Sequence, residues 1–280
     1  MTARKARCLS LVPLALLLIA AHAQTPQQAV QLAVDTERAA NQADHSQWIY
    51  LEQNDTPSQH TLGWVASTPS GNVERVLERD GQPLPEPQQL DRIQHFLRDP
   101  HAQKKQLADT EHDTQQIDDF LKLLPIAFLW TQTAATADTT TFHFEPAPGF
   151  TPPTRPARVF SSMAGELVVD NQQHRIRAAS GHLLHNVVFG AGLLGKLNRG
   201  SSFSLEQAQV APSTWEFTAI HVHLSGTALL FKTISLQQDD ERSRYQPEPA
   251  TITLGQAATQ VMSQPATASF QPANAPNQMP

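Results

Sequence analysis

Seven strand-like runs follow one another after Thr136, and no other part of the chain limits its fold so tightly. They read DTTTFHFE, ARVFSSMAGELVVD, RIRAASGHL, LLHNVVFG, SSFSLEQAQV, TWEFTAIHVHL and TALLFKTISLQQ. Short turns part them, which favours antiparallel neighbours over parallel strands that need long crossovers. One strongly curved antiparallel sheet, a half-barrel, accounts for all of them. With the helices that precede and cross it, the predicted class is α+β, mainly β.

Upstream the rhythm changes twice. Gln27 to Asn41 places Ala29, Val30, Ala33, Val34 and Ala40 at helical spacing, with Pro26 suited to a first turn. From Trp48 to Arg79 the period becomes two, in WIYLEQ, TLGWVAST and NVERVLERD, broken by Pro57, Pro69-Ser70-Gly71 and Asp80-Gly81. A polar, helix-permissive region of about 86–130 follows, interrupted at Pro100 and carrying Ile117, Phe120, Leu121 and Leu124 as an apolar stripe. It predicts a helical hairpin inserted between two groups of strands, and PAPGFTPPTRP (146–156) reads as a stiff connector to the second group. Residues 24–262 are expected to form a single domain. The Pro/Ala/Gln/Asn-rich stretch 263–280 has too little apolar content to offset its ordering entropy, and is expected to be a disordered tail.

The first 23 residues have the layout of a secretory leader: Arg4, Lys5 and Arg7, an apolar run from Leu11 to Ala21, then Ala21-His22-Ala23. Cleavage after Ala23 and a periplasmic or secreted location are the expectation. The leader takes the lone Cys8 with it, so the remaining chain has no thiolate for metal, nucleophile or redox exchange. It is also more acidic than the −6 of the whole chain, because three basic residues leave and no acid does. Without basic clusters it lacks the footprint for nucleic acid. The longest later apolar run, Leu121 to Trp130, contains Lys122 and Pro125 and is too short to span a bilayer.

Phe144 to Gly181 (FEPAPGFTPPTRPARVFSSMAGELVVDNQQHRIRAASG), continuing through HLLHNVVFGAGLLGKL and the ALLFKTISLQQ strand, resembles a family of exported bacterial proteins without an assigned activity. More distantly, the chain is similar in architecture to lipoprotein carriers and sensors of the LolA, LolB and RseB type. The shared elements are the leader, the amphipathic first helix, the early meander, helices lying across the sheet, and Met163-x-Gly165-x-Leu167-x-Val169-Asp170 followed by Arg175-x-Arg177. The resemblance implies a half-barrel closed by helices around an apolar cavity that takes up acyl chains.

The late strands bear on this. One face of Thr214 to Leu224 reads Trp215, Phe217, Ala219, His221 and His223, and the other Thr218, Ile220, Val222 and Leu224; both faces of Ala228 to Leu236 are also substantially apolar. Such a sheet is expected to be covered on both sides. The resulting expectation is a non-enzymatic binding protein with Trp215, Phe217, Leu230 and Phe231 as candidate ligand-binding residues, although Leu230 and Phe231 point to opposite faces. The alternative is an envelope protein with a self-filled core that binds a protein partner through the helical insertion.

Other motifs fail their context tests. Gly190-x-Gly192-x-x-Gly195 is followed by no room for a helix before Asn198-Arg199-Gly200, and Leu197 stands where a P-loop needs a hydroxyl. His221 with His223, and His182 with His185, lack further ligands at a recognised metal spacing, so no metal or cofactor is expected. Ser161-Ser162 and Ser201-Ser202 lack a nucleophile elbow. Asp118-Asp119 and Asp239-Asp240 read as solvated carboxylates, and the tryptophans at 48, 64, 130 and 215 as core anchors.

Overall fold

The computed structural model describes residues 24–189, 195–228 and 232–270. The expected leader, the glycines at 190 and 192, Leu230, Phe231 and the final stretch 271–280 lie outside these residues. In chain order the elements are α1 (Pro26–Ala43), β1 (Gln47–Thr56), β2 (Gln59–Thr68), β3 (Gly71–Arg79), β4 (Gln82–Pro83), α2 (Glu86–Leu97), α3 (Pro100–Ala127), β5 (Phe128–Ala135), β6 (Thr139–Pro146), α4 (Arg155–Phe160), β7 (Met163–Asp170), β8 (Ile176–Leu183), β9 (Val187–Phe189), β10 (Gly195–Leu197), β11 (Ser202–Ala211), β12 (Thr214–Ala228), β13 (Lys232–Glu248) and α5 (Leu254–Ser263).

The fold is α+β and mainly β, an antiparallel sheet that does not close into a barrel, with helices packed against it. Its main path runs β4-β3-β2-β1-β13-β12-β11-β8-β7-β6-β5, with β10 joining β12 to the short β9. The early meander and the later strands therefore meet at β1 and β13, where Glu52 stands opposite Arg242 and Asp55 opposite Asp239.

Register assigns each core to a face, because directly opposed residues in an antiparallel sheet point the same way. Phe144 lies opposite Gly165, Gly165 opposite Gly181, Gly181 opposite Phe203, and Phe203 opposite Val222. On this face a first core packs Phe128, Phe142, Leu167 and Leu183 against Val30 and Val34 of α1, Leu121 and Leu124 of α3, and Phe160 of α4. His221 lies opposite Asp239, two residues from Glu241, which aligns with Gln53; Ser243 of the same alternation aligns with Leu51, and Leu51 with Trp64. On that second face Leu51, Trp64, Val73 and Leu77 pack with Ile93 of α2 and Ala257 and Val261 of α5. The two helical layers thus cover opposite faces at opposite ends of one sheet.

The sequence signals explain the helices. In α1, Thr25 and Gln28 form a reciprocal capping box, Pro26 opens the first turn, and Val30, Ala33, Val34 and Glu37 form the buried stripe. Asp99 starts α3 by accepting from His101 N and Ala102 N, both at 3.0 Å. At 28 residues, roughly 42 Å long, α3 runs from the β2–β3 turn, where Gln106 bonds the backbone of Asn72, to the first core.

Several boundaries differ from expectation. The insertion ends at Ala127, and Phe128 already begins a strand. ARVFSSMAGELVVD divides into the six-residue α4, capped by Thr154, and β7. The expected tail is ordered at its start: Ser263 ends α5, the Pro265 carbonyl accepts from the Trp64 indole at 3.1 Å, and Ala268 and Phe270 pack on the second core. The buried guanidinium of Arg75 donates to the carbonyls of Val261, Met262 and Gln264 and so anchors the chain where α5 ends. Ending the chain after Ser263 is expected to lower stability by about 2 kcal/mol through the lost acceptors of Arg75 and Trp64. A urea midpoint unmoved by that truncation would show that the segment contributes nothing.

The Met163-x-Gly165-x-Leu167 pattern has a physical reason. Met163, Leu167 and Val169 enter the first core, and a Cβ on Gly165 would stand 1.8 Å from the Ser180 carbonyl oxygen. Asp170 closes the β7–β8 turn by accepting from Gln172 N and Gln173 N and by pairing with Arg177.

Candidate functional site

Between the first face of the sheet and helices α1, α3 and α4 lies a cavity of ≈ 480 Å³. Leu167, Ala179, Phe203, Leu205, Ile220, Val222 and Leu224 form its sheet wall. Ile117, Phe120, Leu121 and Leu124 of α3 and Pro156, Val159 and Phe160 of α4 form its helical wall. Phe120 and Phe160 stack at 5.0 Å between centroids, tying the two helices together beside it. The polar lining is limited to Glu37, Asn41, Ser204 and Gln207.

Glu37 sits at the last position of the apolar stripe of α1, and both it and Arg175 are almost fully buried. Its carboxylate accepts from Arg175 Nε at 2.7 Å and Nη2 at 3.0 Å, from Ile176 N at 3.2 Å and from Gln207 Nε2 at 3.1 Å. Four donors satisfy the acceptor capacity of both oxygens, so the pair forms a closed polar wall at one end of the cavity.

The candidate residues separate at this wall. In the β11–β12 ladder, Glu206 faces Ala219 but Gln207 faces Phe217, so Thr218 is an extra residue. This bulge resets the alternation. Phe217 consequently shares the face of Ile220, Val222 and Leu224 and lines the cavity, instead of sharing that of His221 and His223. Trp215, one alternation further, stands beyond the wall: its ring lies 5.9 Å from the Arg175 guanidinium and 5.6 Å from that of Arg177, and its indole N–H donates to Gln173. It is not among the lining residues. Leu230 and Phe231 lie outside the described residues. All four tryptophans are buried.

The expectation of apolar cover on both sides is corrected at the opposite face of β12. Here His221 Nδ1 and His223 Nε2 each lie 2.8 Å from the same Asp239 oxygen, and both rings are partly exposed. Hydrogen bonds from Gln237, His221 and His223 hold the Asp239 carboxyl below its usual range against the opposing effect of burial. No group of three or more metal-ligating side chains is arranged for an ion among the described residues. Gly195 belongs to β10, a strand, where a dinucleotide fingerprint requires a helix.

A second, part-buried charge cluster joins the halves of the sheet. Arg242 pairs with Asp240 at 2.7 Å and Glu52 at 3.1 Å, and lies over the Tyr50 ring. Burial pushes both Glu52 and Glu216 up to about 7 from an ordinary 4.5, with Arg242 opposing the shift in each case. Folding therefore favours their protonated forms: this contribution is fully present below about 4.5 and is lost as pH rises through about 7. The melting temperature is expected to fall between about pH 5 and pH 8, and Glu216→Gln to flatten that fall. A melting temperature that rises across this window would contradict the assignment.

The sequence reading missed most of the cavity wall, naming Phe217 alone of its described members. A signal was present in α1, where a carboxylate occupies a position that helical periodicity reserves for an apolar side chain. Comparison with protein-family models, with curated proteins and with solved structures gives no match to this chain.

Proposed function

We propose that this chain is an exported, non-enzymatic binding protein that holds a lipid acyl chain, or another apolar ligand of similar girth, in the cavity beneath α1, α3 and α4. The cavity itself carries the reading. Its volume lies in the range of small-molecule sites, about 300–1,000 Å³, and its lining is aliphatic and aromatic. Water gains little in such a space because few groups there can bond it. The architectural likeness to lipoprotein carriers and export from the cytoplasm belong to the same proposal. Among the described residues no helix is long and apolar enough to cross a membrane.

Native mass spectrometry of protein purified from a periplasmic fraction, before and after organic extraction, tests this. An extractable mass on a polypeptide beginning at Gln24 is the expected result. A bare polypeptide, still bare after incubation with lipid, overturns it and favours the alternative, an envelope protein that captures a partner through α2 and α3.

A further inference from the structure

We infer that the ligand is an amphiphile with an anionic head group, its tail in the cavity and its head at the α4 end; this rests on the binding role proposed above. The two ends of the cavity differ in the cations they leave for a head group. At one end Glu37 already accepts four hydrogen bonds and has no capacity left. The nearby rim at Asn41 and Ile117 has Asp118 and Asp119 of α3, whose charges are offset by Arg38 and Lys122. Arg38 and Lys122 are already engaged with Asp118.

The α4 end is the reverse. Pro156 and Val159 line the cavity, and the same two residues, with Arg155 and Phe189, line a smaller cleft of ≈ 310 Å³. The cleft therefore adjoins the cavity across the α4 surface and puts a guanidinium beside its wall. Arg158 lies one residue from Val159 on the same short helix, and both arginines are exposed. Neither has a carboxylate partner among the described residues, whereas Arg38, Arg175, Arg177 and Arg242 all do. A planar guanidinium suits carboxylate or phosphate oxygens, and Arg155 places one in a cleft that shares Pro156 and Val159 with the cavity. An apolar tail drawn under α3 leaves its head in this cleft.

Displacement of an apolar fluorescent dye by dodecanoate, dodecyl phosphate and dodecanol, which share one tail, tests the inference. At least one of the anions is expected to bind tenfold or more tightly than the alcohol, with the carboxylate and phosphate arms separating the two head chemistries. That ratio is expected to collapse towards one in Arg155→Gln/Arg158→Gln and to shrink as salt is raised. Equal binding of acid, phosphate and alcohol overturns the anionic head while leaving the cavity occupied. An anion preference that survives in the double variant also overturns it, by placing the head elsewhere. Failure of all three to displace dye defeats the binding role itself.

Discussion

Arg175→Met is expected to cost about 3–5 kcal/mol of stability, because it leaves the Glu37 carboxylate buried without its counter-charge. The arginine supplies two of the four donors to that carboxylate and is itself almost fully buried, so solvent cannot take its place. For a chain of this size such a loss lowers the melting temperature by roughly 6–20 °C. The pairing joins α1 to the β7–β8 turn over a separation of 138 residues, so the single variant should also loosen α1 from the sheet. The double variant Glu37→Leu/Arg175→Met is expected to recover part of the loss, since an apolar pair removes both charge-desolvation penalties but leaves Ile176 N and Gln207 Nε2 without their acceptor. Urea unfolding of the three proteins measures this. If the single variant loses less than about 1 kcal/mol, water reaches the pair and the closed wall does not exist.

How much of this was legible depended on whether a signal was local. The stripe of α1, the alternation in β1 to β3 and the break at Pro100 each act within a few residues, and the elements formed where those patterns placed them. The neighbours of β13 are set by pairing across most of the chain, and no period in the sequence reports that β1 lies beside it. α4 and α5 were missed for different reasons. Six residues are too few to show helical periodicity, and the Ala-rich stripe of α5 was outweighed by the Pro- and Gln-rich residues after it. The costliest miss was the single extra residue Thr218. Strict alternation assigned Phe217 to the face of the histidines, and one bulge moved it to the cavity while turning His221 and His223 away.

That reassignment also changes which substitution should abolish ligand uptake. Trp215 is a candidate from the sequence, but it lies past the Glu37–Arg175 wall, and a carboxylate placed there would act through the arginines beneath the ring. Ala179→Phe is the sharper test. Ala179 lies opposite Leu167 on one side and Leu205 on the other, in the middle of the sheet wall, so a phenyl ring built on it projects into the cavity. Extra volume in a filled core costs about 1–3 kcal/mol through strain, whereas in open space it finds room. The variant is therefore expected to change stability by less than about 1 kcal/mol and to weaken dye and dodecanol binding at least tenfold, about 1.4 kcal/mol. Trp215→Phe, which keeps a ring over the guanidiniums, should leave that binding unaltered. If Ala179→Phe is strongly destabilised, the space is already occupied by the protein's own side chains and the self-filled alternative gains. If it folds normally and binds as before, the ligand, if there is one, lies elsewhere on the sheet.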